Sequence, residues 1–299
     1  MRGLVIRSQS GFYIVVTEQG SLVCRLRGRL KKGRRLGDVV AVGDWVKVTQ
    51  LDQKNGVIEA VEPRQRMFAR LAPNPQGDYL QILIANPDQA MLVFACESPA
   101  PRLGMLDRFL VIAEKQNVPA IIVANKVDLV GMEQAQKIFG HYPALGYEVL
   151  YTSARSELGL QELKARLAGK VTLLTGPSGA GKSSLLNAIQ PGLGLQVRQV
   201  SEATRKGRHT TVVREMFPLQ GGGYVADTPG LKALALWDIA PEELDGYFPE
   251  LRELVSQCQF SDCTHTHEPG CKVLQAVESG GVHPERYRSY LRMRFGEVD

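Results

Sequence analysis

Residues 176–183, which read GPSGAGKS, have the spacing of a phosphate-binding loop. Its glycines allow backbone N–H groups to converge on phosphate oxygens, and the helix that follows adds the positive end of its dipole. An apolar run at 171–175 and a helical pattern at 184–189 provide the strand and helix that this motif requires. We expect Lys182 to reach the β- and γ-phosphates and the Ser183 hydroxyl to ligate Mg²⁺. The predicted phosphate-binding residues are Gly176, Pro177, Ser178, Gly179, Ala180, Gly181, Lys182, Ser183 and Ser184.

Two earlier motifs indicate which base accompanies the phosphates. The segment NKVD, residues 125–128, follows an apolar run at 120–124. Asp128 can accept hydrogen bonds from N1–H and the 2-amino group of guanine, which adenine does not offer in that place. The segment TSA, residues 152–154, ends another apolar run and is expected to lie behind guanine O6. The predicted guanine-binding residues are Asn125, Lys126, Asp128, Ser153 and Ala154.

A fourth motif, DTPG at residues 227–230, follows the apolar run 224–226. Asp227 is expected to organise Mg²⁺, and the Gly230 N–H is placed to contact the γ-phosphate. Residues 201–211 are polar, basic and glycine-containing, as is typical of a switch segment that GTP and Mg²⁺ order. Within it, Thr211 is favoured over Thr210 as the second Mg²⁺ ligand.

The residue that activates water is less evident. Many GTPases place a water-orienting Gln directly after DxxG, but Leu231 occupies that position here. Either intrinsic hydrolysis is slow or another side chain orients the water. His209 is the candidate, although it could equally pack or bind RNA. The predicted catalytic residues are Lys182, His209 and Thr211.

Three of the five cysteines lie close together near the C-terminus. They combine with a histidine in the pattern C-x4-C-x-H-x5-C, which offers four soft ligands for one structural zinc ion. The predicted ligands are Cys258, Cys263, His265 and Cys271, with His267 as an alternative to His265. Free cysteines and surface histidines are the other interpretation. Cys24 and Cys96 lie within apolar runs and are predicted to be buried thiols.

Residues 3–65 contain short β-branched and aromatic runs punctuated by glycine, at 4–6, 12–16, 22–24, 39–42 and 45–48. Five such strands predict a small barrel of the OB-fold kind. Residues 25–35 carry seven basic and no acidic side chains, and four arginines recur at the C-terminal end. Both groups are either RNA-binding patches or solvated surface. The C-terminal group consists of Arg286, Arg288, Arg292 and Arg294.

After a linker at 72–77, apolar runs alternate with helical patterns, which predicts an α/β domain with a mostly parallel sheet. From about residue 236 the chain is helical and polar. The predicted domains are an OB-fold barrel at 1–70, a GTPase domain at 71–235 and a helical zinc domain at 236–299.

The composition agrees with a globular chain: 299 residues, 44% hydrophobic, with a formal net charge of +5. The sequence has no signal peptide and no apolar run long enough for a membrane span, so we expect a cytoplasmic monomer without membrane association.

The motif order, NKVD, TSA, GPSGAGKS, switch and DTPG, places the base-binding motifs before the phosphate loop. In this order and in three specific segments, the whole chain resembles the bacterial circularly permuted, small-ribosomal-subunit-dependent GTPases (ribosome biogenesis GTPase A). The segments are GRHTT at 207–211, DTPG at 227–230 and CQFSDCTHTHEPGC at 258–271. The resemblance implies binding to the 30S subunit and its 16S rRNA late in maturation. It also implies GTP hydrolysis that the subunit stimulates and that leads to release.

Two other classes of function compete with this one. A nucleotide-independent RNA-binding protein could retain the GTPase fold as a scaffold, but then Lys182, Ser183, Asp227 and Asn125 would lack a purpose. A P-loop ATPase or small-molecule kinase is the other alternative, but the guanine-binding motif NKVD argues against it. Competition between GTP and ATP for binding distinguishes this alternative from a GTPase.

Overall fold

A computed structural model describes residues 1–31, 37–72, 79–193, 195, 214–227 and 239–296 of the chain. In chain order these form a β-barrel, a layered α/β unit and a helical unit. No helix in these ranges is long and apolar enough to cross a membrane.

The N-terminal barrel has five strands: β1 (Arg2–Gln9), β2 (Phe12–Thr17), β3 (Gly20–Leu26), β4 (Trp45–Gln50) and β5 (Asn55–Val61). They follow the order β1-β2-β3-β5-β4, and pairing of β1 with β4 closes the barrel. Alternate side chains point inward, and Val5, Val15 and Ile58 are fully buried at its centre. The predicted five-stranded barrel is therefore confirmed.

One predicted barrel strand is wrong. Residues 39–42 form a buried turn rather than a strand. The Ala41 N–H donates to the Asp44 carboxylate at 2.7 Å, and Arg64 Nε lies 2.7 Å from the same carboxylate. Gly43 has φ +92°, and a side chain there would put Cβ 2.0 Å from the Ala85 carbonyl oxygen. These side-chain bonds to the backbone hold a turn against the β-propensity of the apolar run.

The fifth strand is β5 instead, although it begins with Asn55-Gly56, a pair that is typical of turns. The turn lies a few residues earlier, because the Asp52 carboxylate accepts hydrogen bonds from the N–H groups of Lys54 and Asn55, both at 2.8 Å. Asn55 then begins the strand.

A hairpin that the pattern does not predict follows the barrel. Its strands are β6 (Met67–Ala72) and β7 (Tyr79–Ala85), which pair antiparallel on either side of the predicted linker. Most of the linker, residues 73–77, lies outside the described residues. The predicted domain boundary at residue 70 falls within β6 and that at 235 falls outside the described residues, so both stay predictions.

The α/β unit has six strands in the order β10-β9-β8-β11-β13-β12. They are β8 (Gln89–Ala95), β9 (Ala120–Asn125), β10 (Glu148–Thr152), β11 (Val171–Thr175), β12 (Arg214–Pro218) and β13 (Tyr224–Asp227). All neighbouring pairs are parallel except β12 and β13. Every residue of β8 is buried, as a strand covered on both faces requires. The fold class is therefore as predicted.

Helices cover both faces of this sheet. They are α1 (Leu103–Lys115), α2 (Met132–Phe139), α3 (Leu160–Leu167) and α4 (Lys182–Ile189). Two apolar cores result: one includes Phe94, Phe109 and Phe139, and the other includes Leu163 and Leu185.

The barrel and the α/β sheet are joined edge to edge. Strand β1 pairs antiparallel with β12, with Arg7 opposite Glu215 and Ser8 opposite Arg214. Arg214 Nη1 also lies 2.6 Å from the Asp38 carboxylate, across the same junction. One continuous sheet of eleven strands therefore runs through both units.

The helical unit contains α5 (Pro249–Val255), α6 (Lys272–Glu278) and α7 (Pro284–Arg294), preceded by a 3₁₀ segment at Pro241–Tyr247. Its core includes Leu244, Phe248 and Tyr290, and Val111 of α1 packs into it from the α/β unit. This shared core attaches the unit to α1.

The C-terminal basic group is smaller than predicted, because Arg286 does not face solvent. Its side chain is 1% exposed, and its guanidinium contacts Asp107 Oδ1 at 2.7 Å and Glu250 Oε1 at 2.6 Å. Burial alone would lower the pKa of Arg286, but the two carboxylates raise it. Helical periodicity turns position 286 towards α1, whereas Arg288 remains on the exposed face, where it pairs with Glu285.

Candidate nucleotide site and metal cluster

The predicted nucleotide-binding residues follow parallel strands that end at one edge of the sheet. Asn125 ends β9, Thr152 ends β10 and Gly176 follows β11. The register of β13 against β11 sets Asp227 beside Leu174 at the same edge. Ligands of open α/β sheets bind at the carboxyl ends of the strands, so the topology brings these separate segments to one place.

The phosphate loop depends on glycine at two close contacts. Gly176 has φ +146°, and a Cβ there would lie 2.1 Å from the Val93 carbonyl oxygen. Gly181 has φ +95°, and a Cβ there would lie 2.3 Å from Asn125 Nδ2. The loop can therefore approach both β8 and the NKVD segment only without side chains at these positions.

Lys182 begins α4 and is 7% exposed. Its ammonium donates to the carbonyl oxygens of Gly176 and Pro177, both at 2.9 Å. These bonds hold the charge within the loop, at the helix N-terminus where anions are favoured.

Asn125 connects the base-binding segment to the phosphate loop. Its side chain is buried, Nδ2 donates to the Ala180 carbonyl oxygen at 2.8 Å, and Oδ1 accepts from the Thr152 hydroxyl at 3.1 Å. Both ends of the amide are thus used within the protein. The role that this geometry supports is to hold three loops together, since a buried amide is costly to leave unpaired.

Asp128 is oriented by the third segment. The Ser153 hydroxyl donates to Asp128 Oδ1 at 2.6 Å and accepts from the Ser156 N–H at 3.1 Å. Asp128 itself is exposed, so its second carboxylate oxygen can accept hydrogen bonds from a ligand. Lys126, with φ +64°, extends its ammonium to the Ser98 carbonyl oxygen. Burial lowers the pKa of Lys126, and the charge of Asp128 opposes that effect.

These groups surround one open cavity of about 510 Å³, a volume suited to a small ligand. Eight predicted site residues and three others are involved. The lining residues are Asn125, Lys126, Asp128, Leu129, Ala154, Arg155, Gly181, Ser184 and Asn187, with Ser153 and Lys182 attached through their hydrogen bonds.

The side-chain positions of four predicted site residues are not described. His209, Thr211 and Gly230 lie outside the described residues, and of Asp227 only the backbone is described. Ser183 lies in the first turn of α4, next to Lys182. The predicted Mg²⁺ ligands Ser183 and Thr211 therefore stay a prediction.

The second candidate site is a cluster of three cysteines and one histidine. The ligand atoms of Cys258, Cys263, His265 and Cys271 all lie within 4.8 Å of one another. His265 Nδ1 is 3.7 Å from Cys258 Sγ and 3.4 Å from Cys271 Sγ. His267 is exposed and bonds the Thr266 hydroxyl instead. This donor set and spacing fit tetrahedral zinc, which accepts three thiolates and one imidazole.

The surroundings of the cluster favour that fit. His265 is fully buried, and its Nε2 lies 3.2 Å from the Asp245 carboxylate, so Nδ1 points towards the sulfurs. Metal-ligating imidazoles commonly carry such a carboxylate on the other nitrogen. The Leu274 N–H donates to Cys271 Sγ at 3.4 Å.

Three residues that are not among the predicted site residues also shape the two sites. Ser98 holds Lys126, Thr152 holds Asn125, and Asp245 holds His265. Thr152 belongs to the TSA segment and could have been found from its place beside Ser153. Asp245 is twenty residues from His265, and no local pattern connects them.

Comparison with known proteins matches the chain in two parts. Residues 61–237 match the family model described as RsgA GTPase, and residues 2–58 match the one described as RsgA N-terminal domain. The small ribosomal subunit biogenesis GTPase RsgA of Gemmatimonas aurantiaca is 45% identical over 98% of this chain and 96% of its own. The protein of the same name from Moorella thermoacetica is 43% identical over 97% and 95%.

Two solved structures also match this chain over nearly its whole length. The crystal structure of YjeQ from Thermotoga maritima matches with a TM-score of 0.77 at 37% identity, over 99% of this chain and 98% of that one. That of YloQ, described as a circularly permuted GTPase, matches with a TM-score of 0.73 at 34% identity, over 99% and 94%.

Proposed function

The chain belongs to the RsgA GTPase family and is a GTP-hydrolysing enzyme, and from this premise we propose that it acts in biogenesis of the small ribosomal subunit. In the proposed cycle the GTP-bound protein binds the 30S subunit late in its maturation. The subunit stimulates hydrolysis to GDP and phosphate, and hydrolysis leads to release. The names of its relatives support the partner.

The observation that supports the nucleotide part of the proposal is the joint cavity. Asp128, held by Ser153, faces the same space as Gly181 and Ser184 of the phosphate loop, and Asn125 bridges the two. A base hydrogen-bonded to Asp128 would therefore have its phosphates at the N-terminus of α4. We propose that GTP and GDP bind there with Mg²⁺, held by Ser183 and Thr211 and organised by Asp227, while Gly230 contacts the γ-phosphate.

We further propose that the cysteine cluster holds one structural zinc ion. Four protein ligands close the coordination sphere, and a closed sphere leaves no position for a reacting water. The ion would therefore stabilise the helical unit rather than take part in hydrolysis.

The proposed RNA contacts lie on the flanking units, whose positive side chains can replace counterions of 16S rRNA. In the barrel these include Arg25, Arg27 and Arg29. Arg27 and Arg29 lie 3.2 and 3.5 Å from the Glu59 carboxylate, so their charge is partly offset, whereas Arg25 has no ion pair with any described residue. Because its partner is the ribosomal subunit, we propose that the protein works in the cytoplasm, as a monomer.

Turnover of GTP with 30S subunits tests the proposal directly. We expect purified 30S subunits to raise the rate strongly and 50S subunits to leave it near the rate of the protein alone. The measurement is phosphate release at equal subunit concentrations. Equal, slow turnover in all three reactions would remove the 30S subunit as the activating partner.

Loss of the Asp128 carboxylate is expected to remove guanine selectivity. Asp128→Ala loses the hydrogen bonds that guanine N–H groups donate to a charged acceptor, worth together about 3 kcal/mol. The dissociation constant for GDP should rise about 100-fold, while that for ADP, which is weak already, stays unchanged. Titration calorimetry measures both. Glu133→Ala, which removes another exposed carboxylate from the same domain, is the matched control and should bind GDP normally.

His209 is proposed to orient the attacking water, because Leu231 cannot do so. His209→Ala should then lower 30S-stimulated turnover about 100-fold, within the range for a lost acid–base or water-orienting group. Affinity for GDP should not change, which separates a catalytic loss from a binding loss. Unchanged stimulated turnover would exclude His209 from the hydrolysis step.

A further inference from the structure

The outer face of β1, β2 and β3 carries exposed apolar side chains between arginines. The side chains alternate, so that Tyr13 and Val15 point into the barrel while Phe12 and Ile14 point outward. Phe12 lies opposite Arg25 in the ladder and Ile14 lies opposite Val23. Phe12 is 41% exposed and Val23 is 42% exposed, so this face presents a contiguous apolar patch to solvent.

Phe12, Ile14 and Val23 line an open depression of about 340 Å³, which Arg7, Gln9 and Ser10 complete. Arg7 Nη2 donates to Gln9 Oε1 at 3.0 Å. The rim thus offers amide and guanidinium groups, and the floor is apolar. Such a combination suits a flat ring that carries polar edges.

The charge around the depression is positive. The guanidinium of Arg25 lies over the Phe12 ring, with its central carbon 4.5 Å from the ring centroid. Among the described residues Arg25 has no carboxylate partner, and Arg7 has one, Glu215, at the long distance of 3.7 Å. An anionic ligand would therefore find at least one arginine free of an acidic partner in the described part of the chain.

A second exposed aromatic on the same barrel provides a comparison. Trp45 is 36% exposed and has the guanidinium of Arg2 at 4.0 Å from its ring centroid. Arg2, however, forms a two-point ion pair with Glu62, with distances of 3.0 and 2.9 Å. The Trp45 pair is thus neutralised, and the Phe12 pair is not.

We propose that Phe12 and Arg25 form a stacking site for an unpaired RNA base. The base stacks on the Phe12 ring over the apolar floor, and Arg25 binds the phosphate next to it. Aromatic stacking of this kind tolerates any base, and positively charged barrel surfaces use it to bind single strands. The proposal rests on the proposed RNA-binding function and assigns it a particular subsite.

The test uses the full-length protein with a non-hydrolysable GTP analogue and two labelled probes. One is a single-stranded oligouridylate of about ten nucleotides, comparable to the site size of one barrel, and the other is an abasic strand of equal length. Phe12→Ala should weaken binding of oligouridylate about 10-fold and leave binding of the abasic strand unchanged. Phe12→Trp should retain both affinities, because an aromatic face is restored.

Two further variants serve as comparisons. Trp45→Ala, the matched control, should bind both probes as the unmodified protein does. Arg25→Gln should weaken both probes and reduce the slope of log affinity against log salt by about 0.7, the value for one phosphate contact on a single strand. Thermal unfolding of each variant checks that the barrel remains folded.

The outcomes separate this inference from the function on which it rests. If Phe12→Ala binds oligouridylate normally, or loses only binding to 30S subunits, the base-stacking site is excluded. The second of these results would indicate a different contact with the 30S subunit on this face. If the unmodified protein binds neither RNA nor 30S subunits, the proposed function fails and the inference with it.

Discussion

Replacement of Cys271 by serine is expected to abolish stoichiometric zinc binding and to destabilise the helical unit. Cys271 is 2% exposed, its sulfur contacts both Cys258 and His265, and it also caps the N-terminus of α6. A structural zinc ion contributes its binding free energy directly to folding. With free zinc at 1,000 times its dissociation constant, this amounts to about 4 kcal/mol.

Zinc per chain, measured by mass spectrometry of the metal, should be one in the unmodified protein and near zero in Cys271→Ser. Circular dichroism should show a lower melting temperature for the variant. A chelator should lower the melting temperature of the unmodified protein by the same amount. His267→Ala is the matched control, because this exposed neighbour lies outside the cluster. A Cys271→Ser protein that keeps one tightly bound zinc and its melting temperature would contradict the proposed ligand set.

Replacement of Arg286 by methionine is expected to lower the free energy of unfolding by about 3–5 kcal/mol, the usual loss when one partner of a buried ion pair is removed. The guanidinium lies between α1 and α5, with Asp107 on one side and Glu250 on the other. Its central carbon is also 4.6 Å from the centroid of the Phe248 ring. Methionine fills a similar volume but leaves two buried carboxylates without a cation.

Arg288→Met is the matched control on the same helix. Arg288 is exposed, and among the described residues it pairs with Glu285 alone; exposed pairs contribute less than about 1 kcal/mol. Urea unfolding of both variants measures the difference. Similar stability of the two proteins would show that the buried network contributes little beyond packing.

The Arg286 network also bears on how the nucleotide domain is joined to the helical unit. The Tyr142 hydroxyl donates to Asp107 Oδ1 at 2.8 Å, so residues from three separate stretches of the chain meet at one carboxylate. Burial raises the pKa of Asp107, while the charge of Arg286 opposes that shift. Loss of Arg286 should therefore favour protonation of Asp107, which limits the cost at low pH. We expect the destabilisation to be smaller at pH 5 than at pH 7.

Much of the nucleotide site could be predicted because each of its motifs is contiguous. The phosphate loop needs glycines, a lysine and a hydroxyl at fixed spacing, and the geometry of one turn suffices to bring them together. NKVD and the cysteine cluster are equally local. The alternation of apolar runs and helical patterns likewise predicted the α/β class, since burial on both faces of a parallel sheet leaves a continuous apolar run such as β8.

The tertiary structure decided what depends on residues far apart in the chain. Residues 39–42 have the composition of a strand, but contacts from Asp44, Arg64 and Ala85 make them a turn. In the sequence Arg286 belongs to a group of basic residues near the C-terminus. In the structure it is a core residue, because two carboxylates distant in the chain pair with it. The spacing favours His265 and leaves His267 as an alternative, and the folded chain sets His265 against Asp245 and the sulfurs. Local patterns record propensity and spacing, whereas burial and charge pairing depend on partners that only folding brings near.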